Sequence, residues 1–203
     1  MNDIHTLSEY LRELPGIGPR QAKRIAFFLV RKKGDLALKL ADSIRNAHQN
    51  TTICTQCQRL YNKSNATLCS ICSTDRNPTL LIVPSDTDLD HIEKTDSYNG
   101  YYFVLGGTVP ILEKEPENKV RIRTLTSHIE SSVFGDITEI ILAFSANPEG
   151  DNTIDYIKNT LSPIVTKKGI TISTLGRGLS TGSEIEYADK YTLDNALMYR
   201  IKE

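Results

Sequence analysis

The sequence predicts an α/β protein in which a mostly parallel sheet is preceded by a helical hairpin and a four-cysteine module and followed by a short helical tail. Three observations carry this prediction. Short apolar runs alternate with helix-period stretches between residues 79 and 175, all four cysteines lie between Cys54 and Cys72, and the first fifty residues place apolar side chains at helical spacing on both sides of a Gly-Pro turn. The boundaries expected from these shifts are 1–53 for the helical region, 54–72 for the cysteine module, 79–175 for the sheet domain, and 176–203 for a Gly-rich loop and last helix.

In the helical region, Thr6 and Glu9 form a capping box, and Leu7, Tyr10, Leu11 and Leu14 follow on one face. Pro15 and Gly16 stop that helix near Glu13. A second helix starts at Pro19 with Ala22, Ile25, Ala26 and Leu29 turned inward, leaving Arg20, Lys23, Arg24, Arg31, Lys32 and Lys33 to cover the rest. The turn Leu14-Pro15-Gly16-Ile17-Gly18-Pro19 is a helix-hairpin-helix pattern, similar to elements that hold DNA without reading its sequence. Gly16 and Gly18 lack a Cβ, so the backbone can approach a phosphate, and the amides opening the second helix point outward with its positive dipole end. Arg20, Lys23 and Arg24 add Coulomb attraction to neighbouring phosphates, which positions DNA but carries no base information. An ordinary hairpin with a solvated basic face is the alternative. Two glycines flanking an apolar residue, followed at once by basic residues at helical spacing, favour phosphate contact. Asp35 is expected to cap a third helix to about Gln49, with Leu36, Leu40, Ile44 and Ala47 inward.

The cysteines read Cys54-Thr-Gln-Cys57, eleven residues, then Cys69-Ser-Ile-Cys72. Each CxxC turn can present two sulfurs to one ion, and a hairpin brings the second pair round to complete a tetrahedron, so the expected cofactor is one structural zinc ion. A closed all-thiolate shell leaves no position for water and therefore no catalytic role. Two disulfides or four unrelated thiols are the alternatives, and two CxxC pairs rarely arise by chance. His48 is a possible extra ligand, although a solvated histidine at a helix end fits that position better.

The sheet domain is expected to contain strands at Thr79–Val83, Tyr101–Leu105, Glu139–Phe144 and Ile170–Leu175. Helices are expected at Ser85–Thr95, Arg121–Val133 and Thr153–Thr166, and a final helix near Tyr187. Ser73 to Thr79 reads as a linker. Function in such sheets gathers in loops beyond the carboxyl ends of strands. Glu149 and Asp151, in the loop after Phe144, can hold magnesium between two carboxylates. The alternative is a polar turn in which Asp151 or Asn152 caps the next helix, and the lack of a further nearby carboxylate favours the turn. Gly176 to Glu184, with Arg177, can line a phosphate or a partner surface, but no Gly-Lys-Ser/Thr phosphate loop occurs.

Across 203 residues the net charge is −1, yet residues 1 to 50 carry nine Lys or Arg against five Asp or Glu. A basic N-terminal piece therefore sits on an acidic remainder, although the total alone advertises neither nucleic acid nor membrane. There is no leader pattern and no apolar run near eighteen residues, so a soluble cytoplasmic protein with no membrane partner is expected.

The order of these parts, ending in Gly176-Arg177-Gly178 and Glu184-Ile185-Glu186-Tyr187-Ala188-Asp189, resembles the bacterial RecR recombination mediators over essentially the full chain. Its most specific carriers are Leu14 to Pro19, the four cysteines, Tyr101 to Gly107, Asn147 to Asp151, and Gly176 to Asp189. The resemblance implies that the sheet is a Toprim domain and that the protein is non-enzymatic. It implies action with RecO, and in some pathways RecF, to load recombinase on single-stranded gaps, through homo-oligomeric rings, here expected to be tetramers. By position, Gly16, Gly18, Arg20, Lys23 and Arg24 inherit DNA contact, Cys54, Cys57, Cys69 and Cys72 inherit zinc, and Glu149 and Asp151 inherit the loop that meets RecO. One departure stands out: where relatives place a glutamate after the first Toprim strand, this chain has Pro84. That acid serves phosphoryl chemistry in Toprim enzymes, so its loss argues against the rival expectation, a magnesium-dependent nuclease or primase-like enzyme using Glu149, Asp151 and Asp86 or Asp88.

Overall fold

The computed structural model describes residues 3–176, 178, 179, 182, 184–198 and 200. The chain divides into two compact units, Met1–Thr51 and Thr52–Glu203.

The first unit holds α1 (Asp3–Arg12), α2 (Pro19–Arg31) and α3 (Leu36–Asn50). Asp3 lies in the first turn of α1, where an acid favours the helix dipole. The expected capping box therefore does not form: Thr6 and Glu9 lie inside the helix, and Glu9 instead accepts from Arg12 Nη1 at 2.8 Å. Leu7 and Leu11 turn inward as expected, but Tyr10 and Leu14 are exposed. Gly16 sits at φ +77°, a left-handed conformation that explains a glycine there. Gly18 is extended and occupies the N-cap of α2, with Pro19 at its first helical position. Ala22 and Ala26 are fully buried, flanked by half-buried Ile25 and Leu29, and small side chains on this face let α1 and α2 pack closely.

The inward face expected for α3 is not buried. Leu36, Leu40 and Ile44 are 42%, 42% and 62% exposed, and Ala47 is exposed with them. The helix period is right, but it reports only which side is apolar; within this unit α3 meets little beyond the end of α2.

In the second unit β1 (Thr51–Ile53) pairs with β2 (Leu60–Asn62). There follow β3 (Asn77–Val83), α4 (Asp86–Lys94), β4 (Gly100–Val104), α5 (Ile122–Glu130), β5 (Glu139–Leu142), α6 (Pro148–Lys168), β6 (Thr171–Thr174) and α7 (Lys190–Met198). The last four strands form one sheet in the order β4-β3-β5-β6, every pair parallel. Leu80, Leu81, Ile82 and Val83 are all buried because both faces of β3 are covered. Leu80 and Ile82, with Phe103, Ile140 and Leu142, pack against Leu125 and Ile129 of α5 and Ile157 and Leu161 of α6. Leu81 and Val83, with Tyr102 and Val104, pack against Leu89 of α4 and against Cys54, Cys57 and Cys69. The cysteine module thus forms part of the cover of one sheet face.

Helix α6 begins at Pro148, five residues before the expected Thr153. Asn147 is its cap, with Oδ1 accepting from the Gly150 N–H at 2.7 Å, and neither Asp151 nor Asn152 caps it. Gly169 at φ +68° ends the helix. Lys168 donates to the carbonyl oxygens of Ile129 at 2.6 Å and Glu130 at 3.0 Å, satisfying the end of α5. The expected linker is shorter than Ser73–Thr79, since Asn77 already belongs to β3. The last helix, α7, begins at Lys190, three residues after the expected start near Tyr187, with a 3₁₀ turn at Ile185–Tyr187 ahead of it. The remaining elements end within a few residues of expectation.

Candidate metal centre and nucleic-acid interface

The two CxxC segments fold alike. The Gln58 N–H donates to Cys54 O at 3.0 Å, and the Ser73 N–H donates to Cys69 O at 3.1 Å, so each pair sits on the same tight turn with both sulfurs on one side. Gln58 adopts φ +62°, rare for a residue with a Cβ, and its amide nitrogen donates to Cys54 O and Thr55 O at 3.3 and 3.2 Å, holding the first turn. The four sulfurs lie within 4.8 Å of one another, with Cys57 and Cys69 Sγ 3.6 Å apart and the Cys69 N–H 3.4 Å from Cys54 Sγ. Tetrahedral bonds of about 2.3 Å place sulfurs about 3.8 Å apart, so the cluster has the dimensions of a single-ion cage. No disulfide joins the four. Among the described residues this is the one group of three or more metal-ligating side chains with converging ligand atoms; His48 is not in it.

Electrostatics point the same way. Hydrogen bonds from Cys57, then Cys69 and Cys72, hold the Cys54 thiol far below its ordinary range, and Cys69 is lowered to about 6 within the same network. Cys57 and Cys72 are pushed up, first by their hydrogen bonds to Cys54. Burial opposes four unshielded thiolates, and a divalent cation removes that opposition by replacing the protons.

The module is fastened to the sheet by polar contacts that sequence reasoning missed. The Val104 N–H donates to Cys57 O at 2.8 Å, and Arg121 Nη1 donates to Gln58 O at 3.3 Å and Val104 O at 3.1 Å. The side-chain amide of Gln56 donates to Val133 O at 3.1 Å. From α4, Asp86 accepts the Leu60 N–H at 2.7 Å and Asp90 pairs with Arg59 at 3.0 Å. The usable signal was the spacing of Asp86 and Asp90, one helical turn apart and so on one face.

Glu149 and Asp151 occupy the first turn of α6, where acids complement the dipole. Two positions apart on a helix, they point away from each other, so the two-carboxylate magnesium clamp does not form. Glu149 accepts from the Thr108 hydroxyl, and Asp151 lies 3.4 Å from the Tyr191 hydroxyl. The other candidate acids are also engaged: Asp86 holds Leu60, and Asp88 closes the α4 cap with Ser85 at 2.5 Å. Arg177, Ser180, Thr181 and Ser183 of the Gly-rich loop lie outside the described residues.

At the other site the structure brings Gly16, Gly18, Arg20, Lys23 and Arg24 to one end of α2. A Cβ at Gly16 or Gly18 would meet no atom within 4 Å, so this backbone is open to approach from outside. No side chain caps α2, and the Arg20 and Gln21 N–H groups have no helical partner at that position. None of the described ion pairs uses Arg20, Lys23 or Arg24, whereas Arg12, Lys39 and Arg45 of the same unit are each paired with an acid.

The described parts are a helical hairpin with open basic residues, a four-thiol centre seated on a four-stranded parallel sheet, and acids in the first turn of α6. Comparison with known proteins agrees part by part. Residues 4–48 match the family description "RecR, helix-hairpin-helix", residues 78–176 match "Toprim domain", and residues 178–201 match "RecR, C-terminal". A "Recombination protein RecR" of Dehalococcoides mccartyi is 35% identical over 196 residues, 96% of this chain and 91% of the relative. Proteins of that name from Staphylococcus saprophyticus and Cutibacterium acnes are 32% and 33% identical, over 97% and 98% of this chain and 96% and 94% of theirs. The chain belongs to the RecR family and is a recombinational-repair mediator. The family is generally non-catalytic although it carries a Toprim domain, and membership implies DNA, RecO and RecF as partners. No helix among the described residues is long and apolar enough to cross a membrane.

Proposed function

We propose that the chain is a non-enzymatic DNA clamp and loader that grips phosphates through the α1–α2 turn and the basic face of α2. It holds one structural zinc ion at Cys54, Cys57, Cys69 and Cys72. It meets RecO through Glu149 and Asp151, acts with RecF where that protein takes part, and closes into a homotetrameric ring in the cytoplasm to place recombinase on single-stranded gaps. The observation that carries the reading is the open, uncapped start of α2 behind Gly16 and Gly18, with Arg20, Lys23 and Arg24 unpaired beside it. Fluorescence anisotropy of a labelled, partly duplex DNA at several salt concentrations tests it. The natural protein should bind more weakly as salt rises, and Arg20→Ala/Lys23→Ala/Arg24→Ala should lose affinity and show a shallower salt slope. Equal binding by both proteins would move DNA elsewhere.

Zinc fits the donor set, because four thiolates suit a soft tetrahedral ion and leave no ligand position for substrate. The absence of catalysis is supported by Pro84 in place of the Toprim acid, by Glu149 and Asp151 diverging on α6, and by the structural engagement of Asp86 and Asp88. Ring closure is supported by the apolar stripe Leu36, Leu40 and Ile44, which α1 and α2 do not cover and a second copy can. Ile44→Glu should reduce the mass measured by sedimentation without altering the melting of the sheet unit. An unchanged mass would remove α3 from the assembly surface.

A further inference from the structure

The outward side of α2 carries more than charge. Residues 20, 24 and 28 stand four apart on one ridge of α2, rising about 6 Å at each step, and Lys32, the C-cap residue, follows them at the end of the helix. The ridge reads Arg20, Arg24, Phe28. Phe28 is 54% exposed although Ala22 and Ala26, on the opposite side of the helix, are fully buried. Lys32 Nζ lies 5.9 Å from the Phe28 ring centroid, and on the neighbouring ridge the Arg31 guanidinium lies 5.5 Å from the ring of Phe27. The cations lie over these rings and keep them from forming a purely greasy patch, and Phe28 still exposes more than half of its surface beside positive charge that no described ion pair uses. Helix α2 contains no acidic residue at all.

A ring set within a row of cations suits a flexible polyanion carrying exposed aromatic faces. Duplex DNA offers phosphates to such a ridge but keeps its base faces stacked inside; a single strand offers both. A second copy of this face would bring like charges together, which disfavours a self-contact here, in contrast to the uncharged stripe on α3. We infer that the α2 ridge is a single-strand platform on which Phe28 stacks against a base while Arg20, Arg24 and Lys32 track the phosphates. The inference rests on the phosphate-contact reading above and adds to it the form of DNA preferred and a residue that discriminates it.

The test uses the full-length zinc-loaded protein, a labelled oligo-dT and a duplex of equal length at matched salt. Phe28→Ala should weaken oligo-dT binding about ten-fold, the scale of one lost base–aromatic stack, while leaving duplex affinity and both salt slopes unchanged. Because the natural chain has no tryptophan, Phe28→Trp supplies a single emitter, and its fluorescence should be quenched by oligo-dT and not by the duplex. Equal losses on both DNA forms, or no loss on oligo-dT, would overturn the platform. So would a change of oligomer mass in Phe28→Ala, which would assign the ring to self-contact. The triple basic variant separates the two readings: if it leaves all binding intact, phosphate contact falls first; if it abolishes binding while Phe28→Ala does nothing, only the platform falls.

Discussion

Among the described residues, the first unit buries only Ala22 and Ala26 completely, whereas the second buries side chains on both faces of a four-stranded sheet. Each arrangement follows from its chemistry. The α1–α3 segment spends its apolar residues on exposed positions such as Phe28, Leu38 and Ile44 and its basic residues on an open face. The sheet unit encloses most of its cysteine cluster, with Cys54 and Cys57 fully buried and only Cys72 partly exposed. A segment that leaves apolar and basic surface open is available to a partner, whereas the double-sided core holds the sheet together without one, although Leu112, Tyr187, Leu197 and Met198 of the same unit stay exposed. On the reading proposed above, DNA contact and assembly fall to the sparse unit and structural integrity to the dense one.

The largest expected effect falls on the dense unit. A module of about twenty residues has little core of its own, and structural zinc contributes on the order of 10 kcal/mol to such folds. Here Cys69 also belongs to the cluster that covers Leu81 and Val104, so Cys69→Ser should abolish metal binding and lower the sheet unit's stability by several kcal/mol. Metal content by atomic absorption, together with thermal melting, checks this. One zinc per chain with unchanged melting would mean that the cysteine cluster does not support the sheet.

A smaller effect is expected where α1 meets α2. Ala26 has no exposed surface, and a leucine there must force the helices apart, at about 1–3 kcal/mol for overpacking. Ala26→Leu should lower helix content and weaken DNA binding while metal content stays intact. Loss of the metal in this variant would show that the two units do not melt independently.

The sequence made some of this plain and hid the rest for physical reasons. The four cysteines were legible because a CxxC turn is local, and the parallel sheet because Leu80 to Val83 is apolar on both strand faces. The start of α6 is legible in principle, since Asn147-Pro148-Glu149 is a cap, a first-turn proline and a first-turn acid, but the polar run to Asn152 has no apolar period and so resembles a loop. The exposed face of α3 could not be read, because periodicity gives the apolar side without its cover. Docking of the cysteine module was equally hidden, since Val104 to Cys57 and Arg121 to Gln58 depend on register between distant segments.

The smallest effect is a pH dependence confined to the dense unit. His128 lies edge-on to Phe103 and Phe134, each 5.9 Å away between ring centroids, and its Nδ1 is buried without a hydrogen-bond partner. Burial pushes its pKa below the ordinary value, against a smaller upward pull from the Gln56 backbone. An unfolded histidine takes up a proton near pH 6.5, whereas the folded one resists until the pH is lower. Between those two values the unfolded state binds more protons, so stability is full above about pH 6.5 and falls as the pH drops toward the folded pKa. His128→Phe keeps the ring contacts and removes the titration. Acid also releases metal from thiolates, but it does so in both proteins, so the difference between their melting-versus-pH curves isolates the histidine. That difference should grow in favour of the variant as the pH falls through this window; parallel curves would mean that His128 is protonated as readily in the fold as out of it.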